Sequence, residues 1–349
     1  NGDLMNANFP TYAPSDGDKA SLKVERGQDG VVRGTMRGDV FDGRGFLKSA
    51  ISGNSKDDAK NKMKNVDFDI DVKLGAVMGF NGEAMRSVDA KMSRRNGAVK
   101  AFTLSGRIGK DTPVAADLRG GRAQGNREVI YLQTSDAGNF LRFTDTTNKV
   151  FGGQMVVAME PPTSEPTTRE GLINVRDFSV KGMEQLDRVA AGAPNGAQNG
   201  VAFTAMRAEF TRQNGALTIR DGVVKGPMIG ATIEGSIDFP GNQVCMSGTF
   251  VPMYGVNNIF GQIPLFGIFL GGGNNEGLIG VTYEVVGTPA APVMRVNPIS
   301  AMAPGLFRKI FEFNTGKQNS PFEEFPSQSN DGSTGSTRQL SSGCTLARR

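Results

Sequence analysis

The chain has 349 residues, 47 of them Gly, no His or Trp, two Cys and a formal net charge of +4. Without His, Ser-His-Asp and Cys-His catalytic arrangements and every His-ligated zinc site are excluded. The small charge and the lack of a dense Lys/Arg cluster point away from nucleic acid as a partner.

The length suffices for one large or two ordinary domains with a sizeable core. Abundant Gly with short alternating stretches favours strands and turns over a helical bundle. No run reaches the roughly 18 apolar residues of a membrane span. The best candidate, 251–270, is broken by Asn257, Asn258, Gln262 and Pro264. The sequence therefore predicts a chain that is soluble or lies on a membrane. No charged-then-apolar leader opens it, which fits an excerpt or a processed chain.

Residues 1–19 are polar and read as a loop or linker. Residues 20–26 and 31–41 alternate around a Gly-bounded turn and predict a hairpin. Residues 52–65 are charged and read as a linker or an exposed helix. The cleanest strand is 66–74. Val66, Phe68, Ile70, Val72 and Leu74 fall on one face, and Asp67, Asp69, Asp71 and Lys73 on the other. Such a strand is dry on one side and wet on the other.

An internal echo follows. Residues 92–101 (MSRRNGAVKA) match 210–219 (FTRQNGALTI), each with Asn-Gly between alternating segments. Asn-Gly accepts positive φ at both central positions of a type I′ turn, so both copies predict hairpins, and the pair hints at a repeated unit. Residues 136–145 predict a short helix with Asp136 as N-cap and Phe140, Leu141 and Phe143 inward. Strands are expected at 154–160 and 171–181, a loop at 161–169, and a short helix at 183–191. A second Asn-Gly hairpin spans 201–210 and 215–225. Long strands follow at 228–239 and 243–251.

The stretch 248–313 reads as strand, apolar near-helical segment, Gly-rich turn, strand, Pro-rich link and amphipathic helix. In that last helix Leu306, Phe307, Ile310 and Phe311 share a face, away from Arg308 and Lys309. It either caps a core or touches a bilayer surface. Beyond 314 the chain is polar and expected to be disordered. The count is about a dozen strands, too many for a flat open sheet. Cys245 sits in a strand-like run and Cys344 in the polar tail, so a structural disulfide between them is not expected.

The residues predict no catalytic group, cofactor or metal. No G-x-S-x-G, Walker A or G-x-G-x-x-G occurs. The run 271–277 (GGGNNEG) lacks the Lys and Thr of a phosphate loop and reads as a turn. Asp67, Asp69 and Asp71 mimic a calcium loop, but Val72 stands where Gly is needed and Met78 where Glu is. A polar strand face explains these aspartates better. No carboxylate pair stands out for glycoside hydrolysis. What remains is apolar strand faces with little helix to cover them. Alternation alone favours a closed sandwich or barrel. The other solution is an open curved sheet whose dry face holds apolar chains.

The order and spacing of Val251-Pro252, Asn257, Ile263-Pro264-Leu265, the Gly run 271–273, Gly277, Tyr283, Gly287, Pro292 and Val296-Asn297-Pro298 carry a resemblance. With the block 303–311 (APGLFRKIF), they resemble the end of the AsmA-like C-terminal region of YhdP-type envelope proteins. A weaker likeness extends back to about Val66.

The resemblance implies a mainly β fold: a long curved antiparallel sheet forming an open apolar groove, a few short helices and a C-terminal amphipathic helix. It implies a groove domain at 66–313; residues 1–65, a hairpin with polar linkers, fall outside the likeness and are expected to belong to a longer β-groove, and 314–349 is the polar tail expected to be disordered. The implied function is bridge-like, non-catalytic transfer of phospholipid between the inner and outer membranes of Gram-negative bacteria. The implied location is periplasmic, with an inner-membrane anchor outside this sequence. Phospholipid acyl chains are the implied partner, and the lining candidates are Phe68, Ile70, Val72, Leu74, Ile229, Ile233, Ile237, Phe250, Val281 and Tyr283. Leu306, Phe307, Arg308, Lys309, Ile310 and Phe311 are the membrane-contact candidates. The alternatives are an outer-membrane assembly factor with a closed core and envelope protein partners, and an enzyme acting on envelope glycans or lipids.

Overall fold

A computed structural model describes residues 6–52, 66–120, 127–163, 167–184, 186, 200–227, 229–252 and 281–297. Among these residues the chain forms one 16-stranded sheet in which every strand pairs with its neighbours in sequence. The first part comprises β1 (Asn6–Tyr12), β2 (Lys19–Arg26), β3 (Val32–Asp42), helix α1 (Arg44–Ser52), β4 (Phe68–Met78), β5 (Ala84–Arg95), β6 (Ala98–Ile108), β7 (Thr112–Gly120) and β8 (Glu128–Thr134). Helix α2 (Ala137–Phe143) comes next. The sheet then continues through β9 (Val150–Met159), β10 (Arg169–Val180), β11 (Val201–Gln213), β12 (Ala216–Lys225), β13 (Ile229–Asp238), β14 (Gln243–Pro252), β15 (Val281–Gly287) and β16 (Pro292–Asn297). The result is a mainly β fold built as a single long, curved, open sheet. β3 and β4 are paired neighbours in it.

Both Asn-Gly turns are hairpins. Asn96 and Gly97 have φ of 50° and 76°, and Asn214 and Gly215 have 50° and 80°. Two adjacent residues at positive φ give the twist that antiparallel strands need.

Several expectations change. Residues 6–12 form an edge strand rather than a loop; Pro10 is tolerated because one side of an edge strand has no ladder to feed. Residues 292–297 form β16 rather than a link, with Pro292 as first residue, where its missing N–H is least costly. The sheet is not wholly antiparallel: β3 and β4 run parallel. A parallel pair needs a long crossover, and residues 43–67 supply it, with the unforeseen α1 inside. Cys245 is disulfide-bonded, against expectation. Cys344 lies outside the described residues. So do 253–280, most of the helix expected at 183–191, the last helix with Leu306, Phe307, Arg308, Lys309, Ile310 and Phe311, and the tail 314–349.

A register shift between Arg86 and Asp89 bulges β5 against β6, and several strand residues take positive φ. Ser87 in β5 and Asp177 in β10 have φ of 50° and 52°. Gly152 and Gly153 in β9 also have positive φ. Each changes which face the following side chain meets. Val175 and Phe178, three apart in β10, therefore join the same core cluster. Met85 and Val88, three apart in β5, do likewise.

Helix α2 closes one end of the strands. Asp136 caps it by accepting from the Asn139 N–H at 3.0 Å. Its far end is tied to the β4–β5 turn, where the Phe80 N–H donates to the Phe143 carbonyl at 3.0 Å and Arg142 pairs with Glu83 at 3.0 Å. A Cβ on Gly138 would lie 2.7 Å from the Val150 carbonyl oxygen, so only glycine lets the helix sit this close to β9. Phe140 packs against both large core clusters and joins them.

Candidate functional site

Residues directly opposed across strands share a face. Following the register gives one continuous line: Phe9, Leu22, Met36, Val72, Ala90, Leu104, Ala116, Leu132, Val157, Ile173, Ala208, Gly222 and Ile233. From β1 to β13 no charged or hydrogen-bonding side chain interrupts it. A second line on this face runs Val114, Thr134, Met155, Val175, Met206, Val224, Ala231 and Phe250. Most of that line is buried against α2 and the core clusters. The first line is mostly half-buried.

The opposite face is charged where β2 to β7 meet. Arg37 pairs with Asp71 at 2.9 Å, Lys73 with Asp89 at 3.1 Å, and Arg95 with Asp69 at 2.9 Å. Hydrogen bonds from Arg95 and then Ser93 hold the Asp69 carboxyl below its usual pKa. Asp67 accepts from the Asn96 N–H at 2.7 Å. The three aspartates that mimic a calcium loop are thus engaged by basic groups and backbone. One apolar cluster does lie on this face: Val129, Tyr131 and Ala158, with Arg119 over the Tyr131 ring at 3.8 Å.

The predicted lining residues divide by burial. Phe68, Ile70, Val72 and Leu74 share one face of β4, as alternation requires, and their cross-strand partners include Met36, Met92, Ala90 and Val88. Ile70 is 40% exposed. Phe68, Val72, Ile233, Ile237 and Phe250 are half-buried. Leu74, Ile229 and Tyr283 are buried and offer little surface to a ligand. Val281 stands opposite Phe250 in the register.

A hollow of about 480 Å³ spans β3 to β6 and includes Gly34, Ile70, Met92 and Phe102 beside polar neighbours such as Asp69 and Lys91. Gly34 keeps it open: a Cβ there would meet only Ile70 Cγ1, at 3.8 Å. Arg94, opposite Phe68, holds its guanidinium 5.6 Å from that ring's centroid.

Sequence reasoning missed the middle of the line, Leu22, Met36, Leu104, Leu132, Val157 and Ile173. The signal that finds them is the hairpin register, propagated strand by strand from the turns.

Comparison with protein-family models, with curated proteins and with solved structures finds no match. Among the described residues, no helix is long and apolar enough to cross a membrane.

Proposed function

We propose that this chain is a segment of a YhdP-type AsmA-like envelope protein whose apolar sheet face carries phospholipid acyl chains between membranes, without catalysis. The observation that carries the reading is the unbroken apolar line from Phe9 to Ile233. Thirteen strands at about 4.8 Å give this line a length of roughly 60 Å. Each methylene withdrawn from water contributes about 0.8 kcal/mol. With no polar side chain along the line to fix a register, a hydrocarbon tail held there is free to slide, which suits transfer. The resemblance of the 248–313 stretch supports the same family. A disulfide at Cys245 suits an oxidising compartment such as the periplasm. In this reading the C-terminal segment meets the outer membrane, and the inner-membrane anchor belongs to sequence outside this chain.

The second reading, an assembly factor with a closed core and protein partners, draws on the burial of Leu74, Ile229 and Tyr283. A photo-crosslinking residue at Phe102, on the apolar face, and another at Lys91, on the charged face, separates the two. Lipid transfer predicts phospholipid adducts at position 102 and none at 91 in cells. Protein adducts alone at 102 would support the assembly factor instead.

A further inference from the structure

Beyond Phe210 the apolar face ends in charge. Arg169 begins β10 and Arg212 stands directly opposite it in β11. The pair lies two residues past Gly171 and Phe210, which are also opposed, so all four point to the same side. The Phe210 ring lies across Gly171, where a Cβ would come within 2.3 Å of the ring. The arginines therefore sit at the rim, just outside an aromatic floor.

Like charges directly opposed in a sheet destabilise it unless an anion lies between them or nearby. Both residues are half-buried, so water screens the pair only in part. Burial pulls the pKa of Arg169 down, and pulls that of Arg212 down to about 10, with the Arg169 charge as second cause. Both stay protonated at neutral pH. Arg212 donates to the Ala50 carbonyl at 2.7 Å and to that of Ile51, at the end of α1. The Arg169 side chain makes no hydrogen bond to the described residues. Glu160 acts on it only at a distance. That carboxylate is already engaged, lying 3.6 Å from Arg127 and accepting from the Glu170 N–H at 2.9 Å. Glu170 is paired with Arg127 at 2.9 Å. Arg127 thus takes both carboxylates and Arg212 takes the carbonyls of α1, and among the described residues Arg169 has no close partner.

We infer that the Arg169–Arg212 pair is a seat for a phosphate-ester group at the rim of the apolar face. Guanidinium groups present paired N–H donors that match phosphate oxygens, and such charge-assisted bonds are about twice as strong as neutral ones. A phosphodiester held here would lay its tails over Phe210 and inward towards Ile173. As a headgroup seat it rests on the lipid reading above; as a seat for free phosphate it does not.

The test uses the full chain with three probes: dihexanoyl phosphatidic acid, dihexanoylglycerol and inorganic phosphate. Arg169→Gln is the informative variant, because losing a side chain without a hydrogen bond should leave the fold intact, as circular dichroism would verify. The expected result is that phosphatidic acid binds about tenfold or more tighter than dihexanoylglycerol. Arg169→Gln should abolish that preference and leave dihexanoylglycerol binding unchanged. Equal binding of the two lipids, unaltered by the variant, overturns the seat while leaving the apolar-face reading intact. If neither lipid binds but inorganic phosphate does, and Arg169→Gln removes it, the seat stands as a free-phosphate site and the lipid reading falls. Binding of none of the three overturns both.

Discussion

Tyr283 stacks on Phe250 with ring centroids 4.3 Å apart and planes 22° apart. The Tyr283 hydroxyl passes over Gly248 and donates to the Thr232 carbonyl at 2.7 Å. One side chain therefore joins β15 to β14 by packing and to β13 by a hydrogen bond. Tyr283→Phe should cost about 1–3 kcal/mol, because it strands a buried acceptor. Tyr283→Ala should cost about 3–5 kcal/mol through the cavity it leaves. Urea unfolding measures both. Burial, and secondarily Glu234, pushes the Tyr283 pKa above the ordinary 10.0. Its contribution to stability is complete below pH 10 and is lost as pH rises beyond it. Alkaline titration should show the Tyr283 phenolate, identified by difference from Tyr283→Phe, appearing only as circular dichroism reports unfolding. A phenolate forming in the folded protein near pH 10 would contradict this packing.

Helix α1 crosses from the β3–β4 connection to Arg212 on β11, and Leu47 packs against the cluster of Leu74, Met85 and Ile108. Its Phe46 is 73% exposed. Removing the guanidinium in Arg212→Met forfeits charged hydrogen bonds of about 1.5–3 kcal/mol. Amide hydrogen exchange over 44–52 should then quicken about tenfold or more, with little change in the β10–β12 strands. Unchanged exchange in the helix would mean that Arg212 does not hold it.

Much of this architecture is written in local patterns. The two Asn-Gly pairs mark hairpins because both residues must take positive φ, and that requirement is visible in the residue types. Alternation put Phe68, Ile70, Val72 and Leu74 on one face because the strand period is two. The Asp136 cap was equally legible. What escaped depends on neighbours. Period-two reasoning separates Val175 from Phe178, yet with Asp177 at positive φ between them both join one core. Whether Leu74 or Ile70 stays accessible is decided by the bulged neighbour β5 and the helix packed nearby, since both residues alternate identically. The arginine pair at 169 and 212 is unremarkable in either strand alone and appears only through the register between them.

The apolar face is proposed to hold hydrocarbon. Native mass spectrometry of the chain purified from bacteria, compared with Ile70→Glu/Ile233→Glu, tests it most directly. Ile70 is exposed and Ile233 half-buried, so the new carboxylates reach solvent while charging the face. Phospholipid should accompany the unaltered chain and be lost from the double variant, which keeps its β circular dichroism. An unaltered chain without lipid, or a folded double variant with the same lipid load, would contradict it.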